Sequence, residues 1–284
     1  MAQLLGIRIK NYKSLGDVTL GQIEFRTKQQ PLPALACFIG ANGCGKSTLL
    51  DAFGFLSDCL SVGVEAACDA EQRGGFDRLR TQGASDAIEL IIYYRAHADD
   101  RPVRYELAID THGGRPVVAR ELLLQSRVGE VVGKLKTFLK LERGEGFAYA
   151  GESLEGERGR RRLRLSDPTQ LGIATLGTLS DHPRIVSLRN YIQGWFLSYF
   201  VPDAARQLPP SGAQPHLDRE GRNVGNVLRE VLRPRSEPLL FPRQVPRPGH
   251  RAIHLAGRLR FRRPQPPAEP APLLLRPGEP AAVR

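Results

Sequence analysis

Leu5, Ile7 and Ile9 alternate with Gly6, Arg8 and Lys10, a period of two that predicts a strand near the start of the chain. Asn11-Tyr12-Lys13-Ser14-Leu15-Gly16 reads as a turn, and Val18-Thr19-Leu20 with Ile23-Glu24-Phe25 as a second strand. Leu35-Ala36-Cys37-Phe38-Ile39 is apolar at every position, the pattern of a parallel strand buried on both faces. The period then changes. Leu49, Ala52, Phe53, Leu56, Cys59 and Leu60 recur at spacings of three and four, which predicts an amphipathic helix from about Lys46 to Leu60.

Further on the chain is rich in strands. Ala87 to Tyr94, Arg104 to Asp110, Val117 to Gln125 and Lys134 to Glu142 each fit one, with turns at Gly113-Gly114 and Gly144-Glu145-Gly146. Gly151 to Arg164 is charged and glycine-rich and reads as an exposed loop. Asp181 and Pro183 mark a helix start, running to about Phe196, and Val224, Val227, Leu228 and Val231 give helical spacing within Asp218 to Val231. From Arg233 onward the composition breaks: 12 of the 22 prolines fall in the last 52 residues, too dense for helices or central strands. A disordered basic tail and a shifted reading frame in an arginine-rich gene both fit that stretch.

Charge changes the picture less than the total of +11 suggests. The last 52 residues hold +8 of it, so the first 232 carry only +3, and the whole-chain charge is weak evidence for nucleic acid. Cys37, Cys44, Cys59 and Cys68 have no zinc spacing and read as reduced thiols. The first residues lack the apolar core of a signal peptide, and no apolar run is long enough to span a bilayer; the expectation is a cytoplasmic protein with no membrane partner.

The candidate chemistry lies between the apolar run and the first helix. Gly40-Ala41-Asn42-Gly43-Cys44-Gly45-Lys46-Ser47-Thr48 satisfies the phosphate-loop pattern in full. Glycines let the main chain fold back without Cβ clashes and aim consecutive N–H groups inward. The following helix adds the positive end of its dipole. Lys46 is placed to reach the β- and γ-phosphates of ATP, Ser47 to ligate Mg2+, and Thr48 to support the loop or contact the α-phosphate.

These residues resemble a family. The loop, preceded by Ile7-Arg8-Ile9-Lys10-Asn11-Tyr12-Lys13-Ser14, is similar to the ABC-type ATPases of the RecF and SMC (structural maintenance of chromosomes) group, and closest to bacterial AAA family ATPases related to them. Phe38 to Leu50 matches, as do Pro202-Asp203-Ala204-Ala205-Arg206 and Asp218-Arg219-Glu220-Gly221-Arg222-Asn223-Val224. The resemblance spans about residues 3 to 232. It implies an α/β P-loop NTPase fold, the N-terminal part of an ABC-type ATPase head with a strand-rich subdomain. The head would occupy residues 1–232, with a P-loop lobe at 1–62, the strand-rich subdomain at about 85–165 and a helical part at about 166–232; residues 233–284 would be a Pro/Arg-rich tail, disordered or frame-shifted. It also implies ATP and Mg2+ as cofactors, a homodimer sandwiching ATP between heads, and a role in DNA maintenance or phage defence, with DNA as a candidate partner.

The chain departs from that family in one respect. Neither the signature motif nor a Walker B acid pair lies where the family places it, so the chain reads as truncated before both. Leu179-Ser180-Asp181 resembles the signature but continues with His182-Pro183 and reads as a helix start; Leu107-Ala108-Ile109-Asp110 reads as a strand ending in an acid. A non-catalytic nucleotide-binding fragment is therefore one alternative, and another P-loop enzyme such as a kinase is a second. Lys13 is placed by the resemblance near the nucleotide or DNA, and is equally readable as a surface lysine. Arg158, Arg160, Arg161, Arg162 and Arg164 form a basic run, read as a solvated hairpin offset by Glu152, Glu155 and Glu157, with a DNA-backbone contact as the alternative. Trp195, Phe196, Tyr199 and Phe200 read as core.

Overall fold

The computed structural model describes residues 2–25, 28–70, 73–126, 135–150, 159–195, 197–209, 212, 216–218 and 220–232. The chain divides into two units, Met1–Ala252 and Ile253–Arg284. The predicted tail from Arg233 lies outside the described residues, as do Phe196, Arg158, Arg219 and the three glutamates of 151–158.

The first unit is built on one antiparallel sheet of eight strands. They are β1 (Gln3–Tyr12), β2 (Leu15–Gly21), β3 (Ile88–Arg95), β4 (Val103–His112), β5 (Arg115–Ser126), β6 (Leu135–Glu142), β7 (Glu145–Tyr149) and β8 (Arg160–Arg164). Their order is β2-β1-β3-β4-β5-β6-β7-β8. Period-two alternation sends one set of side chains to each face. Ile7 faces Ile92, which faces Tyr105; Ile9 faces Leu90, which faces Leu107. These residues, with Leu123, Leu139 and Leu141, form the buried face. The other face carries charge in pairs: Arg8–Asp17 at 2.6 Å, Lys10–Glu89 at 3.9 Å and Arg104–Glu106 at 2.8 Å. That face is covered in part: Ile91, Tyr93 and Ala108 on it are buried, and Phe25 packs edge-on against Tyr93 at 5.0 Å.

Helix α1 (Lys46–Val62) lies on the buried face through Leu49, Ala52, Phe55, Leu56, Cys59 and Leu60. It continues past the predicted end at Leu60, then breaks at Gly63 (φ 86°) into α2 (Val64–Asp69), followed by α3 (Phe76–Leu79). Beyond the sheet come α4 (Gly172–Leu176), α5 (Pro183–Gln193), α6 (Pro202–Ala205) and α7 (Val224–Val231).

Several expectations need correction. Leu35–Ile39 is not a strand and is not buried: Leu35 is 87% and Ile39 90% exposed, and only Phe38 is partly covered. A strand apolar on both faces needs a hydrogen-bonded neighbour on each side. Here both edges of β1 are taken, by β2 and β3, and the run has no main-chain partner among the described residues. Ile23–Phe25 also leaves the sheet, because Leu5 O accepts from both Gln22 N (2.9 Å) and Leu32 N (2.8 Å) as the chain bends off the edge. Arg160–Arg164, read as loop, is strand β8: alternation hidden by four arginines is completed by pairing with β7. Only Val224–Val231 of the helix read across Asp218–Val231 is helical, and no side chain on it is buried. Phe200 is 55% exposed and not core, whereas Trp195 packs edge-on against Phe53 at 5.2 Å.

One buried acid ties the sheet to the helices beyond it. Glu121 on β5 is fully buried and accepts from Gly172 N (2.6 Å), Ile173 N (2.9 Å) and the Tyr105 hydroxyl (3.0 Å). Burial pushes its pKa up, against the downward pull of those hydrogen bonds. Replacing Glu121 with Ala strands two buried N–H groups and a phenol. The expected loss of stability is about 3 kcal/mol or more, read as a shift of the urea unfolding midpoint.

Candidate nucleotide-binding site

The loop that opens α1 has the local geometry its glycines predict. Gly43 (φ 78°) and Gly45 (φ 87°) sit in the left-handed region, where a Cβ would be strained. A turn closes from Cys44 N to Ala41 O at 3.3 Å, and the first helical bond runs from Leu49 N to Gly45 O at 2.8 Å. The first turn of α1 holds no acid, and no side chain caps it. The positive end of the helix dipole is therefore not offset by its own sequence. Ser47 is exposed at that end, and Gly40, Ala41, Asn42 and Gly43 are exposed around the loop.

Lys46 folds back across this bend. Its ammonium donates to Gly40 O and Ala41 O, both at 2.8 Å, and lies 3.7 Å from the Cys44 Sγ. The thiol in turn sits over Gly40, where an added Cβ would come within 2.6 Å of the sulfur. A phosphate entering the bend would replace two neutral carbonyls with charged oxygens as acceptors, an exchange that strengthens each hydrogen bond. All nine predicted residues, Gly40 to Thr48, are thus contiguous in one loop and helix start. Thr48 Oγ1 lies 3.3 Å from the Ser14 hydroxyl in the β1–β2 turn.

A cluster one turn further along α1 was not legible from the motif. Asp51 accepts from the Tyr12 hydroxyl at 2.8 Å, from the Lys13 ammonium at 2.5 Å and from Arg73 Nε at 3.3 Å. Buried Arg73 also bonds Asp58 Oδ2 (2.6 Å) and Ala67 O (3.0 Å) and lies over the Phe55 ring. Tyr12 ends β1 and Lys13 opens the β1–β2 turn, and Asn11 (φ 55°) and Lys13 (φ 49°) are both left-handed without being glycine. That strained conformation is held from outside: Asn11 Nδ2 donates to Ala87 O, Thr81 N to Asn11 O, and Lys13 N to Leu79 O. The turn predicted at Asn11–Gly16 is narrower, Lys13–Ser14, because Asn11 and Tyr12 lie in β1 and Leu15 and Gly16 in β2, and its tip docks α1. Its Lys13 is neither a plain surface lysine nor directed at the loop: its ammonium is bonded to Asp51.

Burial alone would raise the Asp51 pKa, but the hydrogen bonds from Lys13 and Tyr12 and the charges of Arg73 and Lys13 outweigh it and hold the carboxyl below its usual value. The Tyr12 phenol is pushed up, by burial first and by Asp51 second. Beside the cluster along α1, Phe38, Leu50, Phe53, Trp195 and Leu197 line an apolar cleft of about 400 Å³. Asp110, the acid weighed as a strand-end residue, is half-exposed two residues before the end of β4, bonded by Thr111 N and 3.8 Å from Arg80. The two later segments that carried the resemblance meet each other: Val201 N donates to Glu220 O at 3.0 Å, and Asp218 N to buried Asn223 at 2.7 Å. Among the described residues no helix is long and apolar enough to cross a membrane.

Because its folded pKa is depressed, the stability Asp51 contributes is full above the ordinary carboxylate value of about 3.9 and is lost as pH falls through the lower folded value. Asp51→Asn should cost about 2–4 kcal/mol near neutral pH, leaving Arg73 and Lys13 short of a counter-charge. Denaturation curves at a series of pH values should show the gap to wild type closing only below about pH 4.

Comparison with known proteins agrees with this geometry. Residues 35–209, more than half of the chain, match the family described as "AAA domain, putative AbiEii toxin, Type IV TA system", and residues 7–58 match a second AAA domain family. No curated protein and no solved structure matches the chain. With a glycine loop closed on the start of α1, a lysine folded across it and a family match that runs through both, the chain belongs to the AAA-domain ATPases of that description.

Proposed function

We propose that Gly40 to Thr48 binds ATP with Mg2+ and that the chain is part of an ATPase head of the RecF and SMC-like type. The observation that carries this reading is the pair of left-handed glycines, Gly43 and Gly45, that bends the loop onto an uncapped helix start with Lys46 folded across it. Main-chain N–H groups and Lys46 hold the β- and γ-phosphates, and the Ser47 hydroxyl holds the magnesium. Magnesium held there would supply charge neutralisation at the phosphates. A cytoplasmic setting and a role in phage defence fit the toxin named in the family description, and DNA maintenance fits the resemblance of the loop and first strand. Paired heads sharing ATP are part of the same reading.

A second reading, a nucleotide-binding module without hydrolysis of its own, is favoured by one specific observation. Helix α1 carries two acids, Asp51 and Asp58, and both are bonded to Arg73. An acid so compensated is a poor general base, and losing a positioned base lowers turnover by about 10²-fold or more. In this reading ATP acts as a binding switch, and the acid that polarises water comes from elsewhere.

Titration with a fluorescent ATP analogue tests the first reading. Lys46→Ala should weaken binding at least about tenfold, the effect of losing one charge-assisted hydrogen bond to phosphate; equal affinity in the two proteins would refute the site. Phosphate release tests the second. The purified chain should stay near the rate of Lys46→Ala, and robust turnover that this substitution abolishes would show that the chain holds its own catalytic acid.

A further inference from the structure

We propose that the outer edge of the sheet, strands β7 and β8, is a binding surface for the phosphate backbone of nucleic acid. Strand β8 reads Arg160-Arg161-Arg162-Leu163-Arg164 and is the last strand of the sheet. Pairing with β7 sets Arg160 opposite Tyr149, Arg162 opposite Phe147 and Arg164 opposite Glu145. Period two therefore lines Arg160, Arg162 and Arg164 along one face at intervals of about 6.6 Å. All three are exposed.

Aromatic rings order the cations on this face. The Arg160 guanidinium lies 4.0 Å from the centre of the Phe147 ring, and the Lys136 ammonium 4.3 Å from that of Tyr149. The two rings meet edge to face at 5.9 Å. Such stacking fixes a long side chain at little cost in hydration and leaves its N–H groups pointing outward. Because cations cover the rings, bases would not stack there, and recognition falls to the phosphates, independent of sequence.

The charge excess is local. On the same face nearer the centre of the sheet, cations are paired: Arg120 with Glu89 and Glu106, Lys140 with Glu142. On β8, Arg164 pairs with Glu145 at 3.2 Å and Arg161 approaches Asp181 at 3.8 Å. Among the described residues, neither Arg160 nor Arg162 is paired with a carboxylate. The connection 151–158 carries Glu152, Glu155 and Glu157 against Arg158, and the surface proposed consists of strand residues alone. Protecting a sheet edge from aggregation takes one or two charges; four arginines in five residues, two of them without an acid, exceed that need. Arginine forks match phosphate oxygens, and an evenly spaced row of them matches a repeating anion.

The test uses the full chain and a labelled single-stranded oligonucleotide, with fluorescence anisotropy at several salt concentrations and no ATP, so that its outcome is separate from that of the nucleotide site. Arg160→Ala/Arg162→Ala should weaken binding and reduce the slope of log affinity against log salt by about 1.4, two contacts at about 0.7 each. Reading the slope keeps the test decisive even where the arginine-rich C-terminal residues also bind. Arg206→Ala/Arg229→Ala, which removes equal charge elsewhere, should leave the slope at the wild-type value, and an unchanged circular dichroism spectrum and urea unfolding midpoint should show that the variants are folded. An unchanged slope in Arg160→Ala/Arg162→Ala overturns the proposal, as does displacement of the oligonucleotide by polyglutamate at equal charge concentration, which would point to an acidic protein partner.

Discussion

Burying a carboxylate costs several kcal/mol unless its lone pairs are met. Asp51 is buried because a phenol, an ammonium and a guanidinium converge on it from two other parts of the chain. Tyr12 ends β1 and Lys13 follows it in the β1–β2 turn, Arg73 belongs to the segment after α2, and Asp51 itself to the second turn of α1. The apolar face of α1 fixes how the helix lies on the sheet, but such contacts are tolerant of sliding. The Asp51 cluster has direction and distance. It fixes the rotation and axial position of α1, and so where its first turn opens. Removing the acid would leave two cations facing each other, which is why the cluster acts as one unit.

The phosphate loop inherits its position from that cluster and its shape from its own residues. The bend is made by Gly43 and Gly45, closed by a Cys44-to-Ala41 turn and spanned by Lys46, all within seven residues. None of these contacts depends on the preceding segment being in a sheet. The bend can therefore be formed while Leu35–Ile39 lies exposed beside it.

This separation explains what was legible in the sequence. Contacts between near neighbours have a pattern: the glycine spacing gave the loop residue by residue, the three-and-four spacing gave α1, and alternation gave β1 and β3 to β6 within a residue or two at most ends. Contacts between distant residues have none. Nothing in Asp51 or Arg73 taken alone announces that they meet across 22 positions. Strand β8 was hidden because its alternation is arginine against arginine, so polarity does not vary with period two. The Leu35–Ile39 error has the opposite cause. Composition reports what a segment needs, two sheet neighbours and cover on both faces, and not whether neighbours exist. Helix α7 repeats the lesson: its helical spacing was legible, but Leu228 and Val231 are 52% and 68% exposed.

Binding a triphosphate and hydrolysing it therefore place different demands on this fold. In the proposed reading, binding calls on main-chain amides, one ammonium and a helix end, all local to Gly40–Thr48. Hydrolysis needs an uncommitted carboxylate set against the γ-phosphate. On α1 the two acids are both committed to Arg73, and freeing Asp51 would release the β1–β2 turn that holds the helix in place. The acid cannot be recruited from the helix without moving the loop it is meant to serve. In the proposed reading, a catalytic carboxylate would come from a segment other than α1.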